Sequence, residues 1–160
     1  MPKIRLRDRC PQPRPGENAM TRQGNRPDRR LAKPDLLDRD RREALAVALV
    51  YVGSAHHKRS PGDYKFTPPV NPRPSKCLCD GDRVVLKAEA REIFRKGILM
   101  GMFSADAGAG QPKYVWGVDD QGGVYEAKIG LGGYHGYRLE DVDDQCARVL
   151  KEWRQRCPRD

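Results

Sequence analysis

All three histidines of this 160-residue chain fall in two short clusters that also carry cations. His56-His57-Lys58-Arg59 follows an apolar run with helical spacing, and Tyr134-His135-Gly136-Tyr137-Arg138 follows a pair of strand-like runs. Imidazole is the side chain whose unperturbed pKa lies closest to neutral, so it suits proton transfer and metal binding. With Lys and Arg beside it, and phenols in the second cluster, it suits an anionic substrate. A phosphate diester is the first candidate. Adjacent residues on one backbone point in different directions, so only one of His56 and His57 is expected to face a given site.

Glu126 and Lys128 are two residues apart in a strand-like run, which places them on one sheet face. Together with His135 and Lys113 they form an acid–base set for cleaving RNA without a metal. A carboxylate or a neutral imidazole takes the 2′-hydroxyl proton. A second group protonates the leaving 5′-oxygen, and Lys or Arg stabilises the charged phosphorane. The candidate catalytic residues are therefore His57, His56, His135 and Glu126. Lys58, Arg59, Lys128, Lys113, Tyr137 and Arg138 are the candidates for holding substrate. The same residues have a plainer reading. The first cluster offsets the negative end of a helix dipole, and the second set makes cross-strand ion pairs on a solvated sheet face, which are worth little. Tyr134, Tyr137, Trp116 and Tyr125 are either stacking platforms for bases or sheet and core aromatics. Tyr137, beside His135 and Arg138, is the one assigned to a site.

No cofactor is expected. Cys77-Leu78-Cys79 has C-x-C spacing without a matching second pair, so zinc is not expected there. Cys146 and Cys157 are about three helical turns apart and cannot share an ion. The glycine clusters at 108–110 and 130–133 lack the Gly-Lys-Ser/Thr end of a phosphate loop and read as connectors. There is no serine nucleophile elbow and no kinase signature. Five cysteines at irregular spacing do not make a disulfide framework.

The formal net charge is +9, and residues 1–34 contribute most of it, with ten Lys/Arg against three Asp/Glu. A basic arm of this kind meets RNA, another nucleic acid or an acidic protein such as an antitoxin, or is simply a solvated tail. No run is long and apolar enough to span a bilayer. No apolar stretch follows the first charges, so the expected compartment is the cytoplasm.

The elements that must position these residues follow from periodicity. Residues 1–34 are rich in Pro and poor in patterned apolar residues, so a disordered basic arm is expected. Residues 35–160 are expected to form a single α+β domain. A first helix is expected over about 38–52, with Leu45, Ala48, Leu49 and Val52 on its apolar face, Asp35 or Asp38 as cap and Gly53 as stop. Residues 58–82 carry five prolines and read as a long connector, a binding loop or a strap. A second helix should begin near Asp82 and stop at Gly97. Ile98–Phe103 is taken as a strand, and residues 104–111 as a flexible loop. Lys113–Val118 and Val124–Ile129 form a hairpin, and a third strand covers about 134–139. A last helix runs from about Glu140 to Arg156.

The expected fold is thus a small antiparallel sheet of three or four strands packed against two or three helices. Small ribonucleases, including bacterial toxin domains, also use two helices followed by a meander, an analogy at the level of fold only. The function expected from the residues is a metal-independent endoribonuclease, of the kind found in toxins acting on RNA or tRNA. The alternative is a non-catalytic nucleic-acid-binding or regulatory interaction protein that uses its basic arm.

Overall fold

The structure, a computed structural model, describes residues 27–53 and 83–157. It is an α+β fold with a three-stranded antiparallel sheet in the order β1 (Tyr114–Val118), β2 (Val124–Gly130), β3 (Gly133–Arg138). Three helices surround it: α1 (Arg39–Ala48), α2 (Lys87–Leu99) and α3 (Asp144–Arg156). No helix among the described residues is long and apolar enough to cross a membrane.

Strand alternation gives the sheet two buried faces. Val115, Ala127 and Tyr134 join Phe94 and Ile98 of α2, with Tyr51, in one core. Tyr114, Trp116, Val118 and Val124 join Cys146 and Val149 of α3 in a second core. Two glycines set the spacing on the α2 side. A Cβ on Gly97 would sit 2.2 Å from the Trp116 carbonyl oxygen, and one on Gly117 would sit 2.5 Å from the Ile93 carbonyl oxygen. Gly97 is therefore the contact point of helix on strand, within α2, and not its stop. The helix continues to Leu99, and the turn falls at Gly101, whose φ of 71° favours a residue without Cβ. The strand expected at 98–103 is consequently a helix end followed by isolated bridges, Phe103 to Val115 and Leu31 to Ser104. The loop expected at 104–111 contains a 3₁₀ turn, Ala105–Ala109.

Helix α1 begins where Asp38 Oδ1 accepts from the Arg41 backbone N–H at 2.9 Å. It ends at Ala48, earlier than the expected Gly53, because the next residues pair with β3 in an isolated parallel bridge, Tyr51 to Tyr134. The Val52 and Gly53 N–H groups donate to the Tyr134 carbonyl at 2.8 and 3.0 Å, and the Tyr134 N–H donates to the Val50 carbonyl at 2.8 Å. Gly133 makes this approach possible, since a Cβ there would lie 2.6 Å from the Val50 oxygen.

The boundary expected at residue 35 falls inside the fold. Pro27–Arg29 forms a 3₁₀ turn, Arg29 and Ala32 are buried, and the Ala32 N–H donates to the Phe103 carbonyl at 2.8 Å. The apolar pattern of this segment is too sparse to reveal it; a buried ion pair and backbone pairing hold it. Residues 1–26 lie outside the described residues.

Candidate functional site

One face of the sheet carries three cross-strand rows. Trp116, Glu126 and Tyr137 are opposite one another, as are Tyr114, Lys128 and His135, with Val118 and Val124 forming a third row. The expectation that Glu126 and Lys128 share a face therefore holds in the register, and His135 and Tyr137 lie on that face too. Arg138 follows Tyr137 directly and pairs with Tyr125, so alternation places it on the opposite face.

Glu126 is not on a solvated face. It is 1% exposed. Its Oε2 accepts from Arg29 Nε at 2.9 Å, Arg29 Nη2 at 2.7 Å and Trp116 Nε1 at 2.8 Å. Its Oε1 accepts from the Tyr137 hydroxyl. Three donors converge on Oε2 and one on Oε1, all from inside the protein. Glu126 thus fixes Tyr137 and Trp116 in place and is not available to take a proton from a ligand. Burial first, then the neighbouring Glu126 carboxylate, push the Tyr137 phenol well above its ordinary range. Tyr137 stays protonated and acts as a donor.

The row beside it is more accessible. His135 and Lys128 are directly opposed, and both are half-buried. The Lys128 and Lys113 ammonium groups lie 5.9 and 5.6 Å from the centre of the Tyr114 ring, and Lys113 also pairs with Asp28. The His135 ring packs over Gly130: a Cβ there would be 2.9 Å from Nδ1 and Cε1. The result is an imidazole and two ammonium groups at one end of one sheet face. That set can move a proton and hold a phosphate.

His56, His57, Lys58 and Arg59 lie outside the described residues. Gly53 is hydrogen-bonded to Tyr134, the residue before His135.

Of the aromatics considered as stacking platforms, Trp116 and Tyr134 are fully buried core residues. Tyr125 is half-buried and donates to Asp119 Oδ2 at 3.1 Å. Tyr137 remains at the site, with its hydroxyl committed to Glu126. Among the described residues no three His, Cys, Asp or Glu side chains cluster to hold a metal. Cys77 and Cys79 lie outside them.

Two features escaped the sequence. Arg29 sits in a stretch with no periodic pattern, yet it is the principal partner of Glu126. A cleft of about 490 Å³ lies between residues 29–34 and α3, lined by six cations and one acid. The sequence signal for it was only the helical spacing of Arg148, Lys151 and Glu152. No family model, curated protein or solved structure matches this chain.

Proposed function

We propose that this protein is a metal-independent endoribonuclease whose reaction takes place at the His135 end of the sheet. The observation that carries this reading is the row that opposes His135 to Lys128, with the Lys113 and Lys128 ammonium groups against the same Tyr114 ring.

The reaction divides among the residues as follows. The neutral His135 imidazole takes the proton of a ribose 2′-hydroxyl, and that oxygen attacks the adjacent phosphorus. The P–O5′ bond breaks, and the departing oxygen receives a proton from the imidazolium of His57. The products are a 2′,3′-cyclic phosphate and a 5′-hydroxyl end, and the proton balance closes without a metal. Lys128 and Lys113 offset the charge that builds on the phosphorane oxygens. Glu126 is assigned a positioning role through Tyr137, in place of the catalytic role expected from sequence. The partners of such a protein are RNA and, where cleavage must be restrained, an acidic protein of the antitoxin kind; the setting is the cytoplasm.

The test is incubation of bulk RNA with the purified protein in EDTA, followed by end-group analysis. Cyclic-phosphate and 5′-hydroxyl ends are expected, with no cleavage of an oligonucleotide whose riboses are 2′-deoxy. Cleavage of the deoxy strand at an equal rate would contradict the mechanism. The second reading, a non-catalytic nucleic-acid-binding protein, is favoured by the burial of Glu126 among internal donors. RNA bound and recovered intact in EDTA would select it.

A further inference from the structure

We propose that the cleft between residues 29–34 and α3 is a binding site for a single-stranded phosphodiester chain. This goes beyond the cleavage reading and does not depend on it, since a strand can be held here whether or not it is cut.

The cleft's volume, about 490 Å³, suits a chain segment and not a lone ion. Its charge is one-sided: Arg29, Arg30, Lys33, Arg148, Lys151 and Arg156 stand against Glu152. Two of these cations build the walls. Arg29 is committed to Glu126. Arg156 pairs with Glu152 at 2.9 Å and donates to the Ala32 and Gly101 carbonyls at 2.7 and 2.6 Å, which clamps the 29–34 segment to α3. Glu152 is thereby neutralised from within. Arg30, Lys33, Arg148 and Lys151 have exposed side chains around the opening. Several exposed cations around a cleft of this volume fit a repeating anion.

A second observation points to a ligand that also donates hydrogen bonds. Gln145 lines the cleft and is 1% exposed. Its Nε2 donates to the Arg29 carbonyl at 3.1 Å, but its Oε1 is buried with no hydrogen-bond partner among the described residues. An unmet buried acceptor is costly. A ribose hydroxyl or a base amino group would satisfy it, which a plain polyanion could not. An acidic peptide would match the charges, and a poly-glutamate peptide separates that case in the test.

The experiment uses the full chain and fluorescence anisotropy with a labelled 2′-O-methyl RNA 15-mer, which resists transesterification, and with a ribose RNA and a DNA of the same sequence. Both ribose and 2′-O-methyl strands are measured over a salt series, the ribose strand with the His135→Ala protein so that it stays intact. The triple variant Arg30→Ala, Lys33→Ala, Lys151→Ala should weaken binding about tenfold or more and lower the log–log salt slope by about 2, at about 0.7 per lost phosphate contact. These side chains are exposed, so the fold should persist; Lys33→Gln, Lys151→Gln serves as a milder second variant. Arg91→Ala with Lys96→Ala, on α2 across the sheet, should change little. Tighter binding of the ribose strand would assign the Gln145 contact to the 2′-hydroxyl, and equal binding of RNA and DNA to a base. Equal losses in the triple and α2 variants would overturn the proposal. So would a triple variant that loses a poly-glutamate peptide but keeps the oligonucleotides. Failure of RNA cleavage with these binding losses intact would reject the nuclease reading alone.

Discussion

Arg29 and Glu126, 97 residues apart, meet in the interior through two hydrogen bonds to one carboxylate oxygen, at 2.9 and 2.7 Å. Their side chains are 2% and 1% exposed. Burying such a pair is not by itself stabilising, but removing one partner strands the other charge, which costs about 3–5 kcal/mol. Glu126→Gln should therefore lower stability by roughly that amount, read as a shift in the urea midpoint at constant slope. A change below about 1 kcal/mol would show that the pair is not a structural hub.

The same pair decides how much of the N-terminus can be removed. A chain lacking residues 1–26 should keep the melting temperature of the full protein. One lacking residues 1–33 loses Arg29, Leu31 and the buried Ala32, and should melt markedly lower or lose cooperativity. Equal melting of both truncations would contradict the packing of residues 27–33.

Acid should act through Asp119. It closes the β1–β2 turn, with Oδ1 accepting from the Gln121 and Gly123 backbone N–H groups at 2.9 and 2.7 Å and Oδ2 from Arg83 at 2.9 Å. Burial works to raise its pKa, but these donors and the Tyr125 hydroxyl outweigh it and hold the carboxyl below its ordinary range. A carboxyl depressed by folding stabilises the fold above its unfolded value, near pH 4, and that contribution fades as pH falls through the folded value. Asp119→Asn should be less stable at neutral pH and show a flatter decline of melting temperature between about pH 4 and pH 2. An identical acid slope in both proteins would rule the group out.

Base should act through the tyrosines. Burial raises the Tyr125, Tyr134 and Tyr137 phenols, and Asp119, Asp106 and Glu126 respectively add to it. A group raised by folding stabilises the fold fully below its unfolded pKa and less as pH climbs past it. In an ultraviolet titration these phenols should ionise only with unfolding above about pH 10. Smooth ionisation of all six tyrosines near that value in the folded protein would contradict their burial.

Gly130 offers a probe of His135 that leaves every ionisable group in place. A Cβ at 130 intrudes to 2.9 Å on the ring, so Gly130→Ala should displace the imidazole. The expected outcome is reduced RNA cleavage and a shifted histidine ring resonance, with unchanged circular dichroism. Cleavage at the original rate would mean that the ring's placement is immaterial.

The hairpin and third strand were legible because Tyr125, Ala127 and Ile129 alternate cleanly with Val124, Glu126 and Lys128, and the glycine-containing turns bound them. The fate of Glu126 was not, because alternation gives a face and not what covers that face; here both faces are covered. Gly97 misled because glycine ends helices and also lets a helix touch a strand, and only the position of Trp116 separates the two. Arg29 was hidden for a related reason: an arginine among prolines looks solvated until the carboxylate it meets is known. The cleft needed two chain segments, one on either side of the sheet sequence, to be seen together.

The most direct measurement is the rate of RNA cleavage in EDTA by the wild-type protein and by His135→Ala, each shown to be folded by its melting temperature. The expected result is cleavage by the wild type and a loss of about 10²–10⁴-fold in the variant, the usual cost of one acid–base group. Equal rates in the two proteins, or intact RNA with both, would contradict an acid–base role for His135 at this end of the sheet.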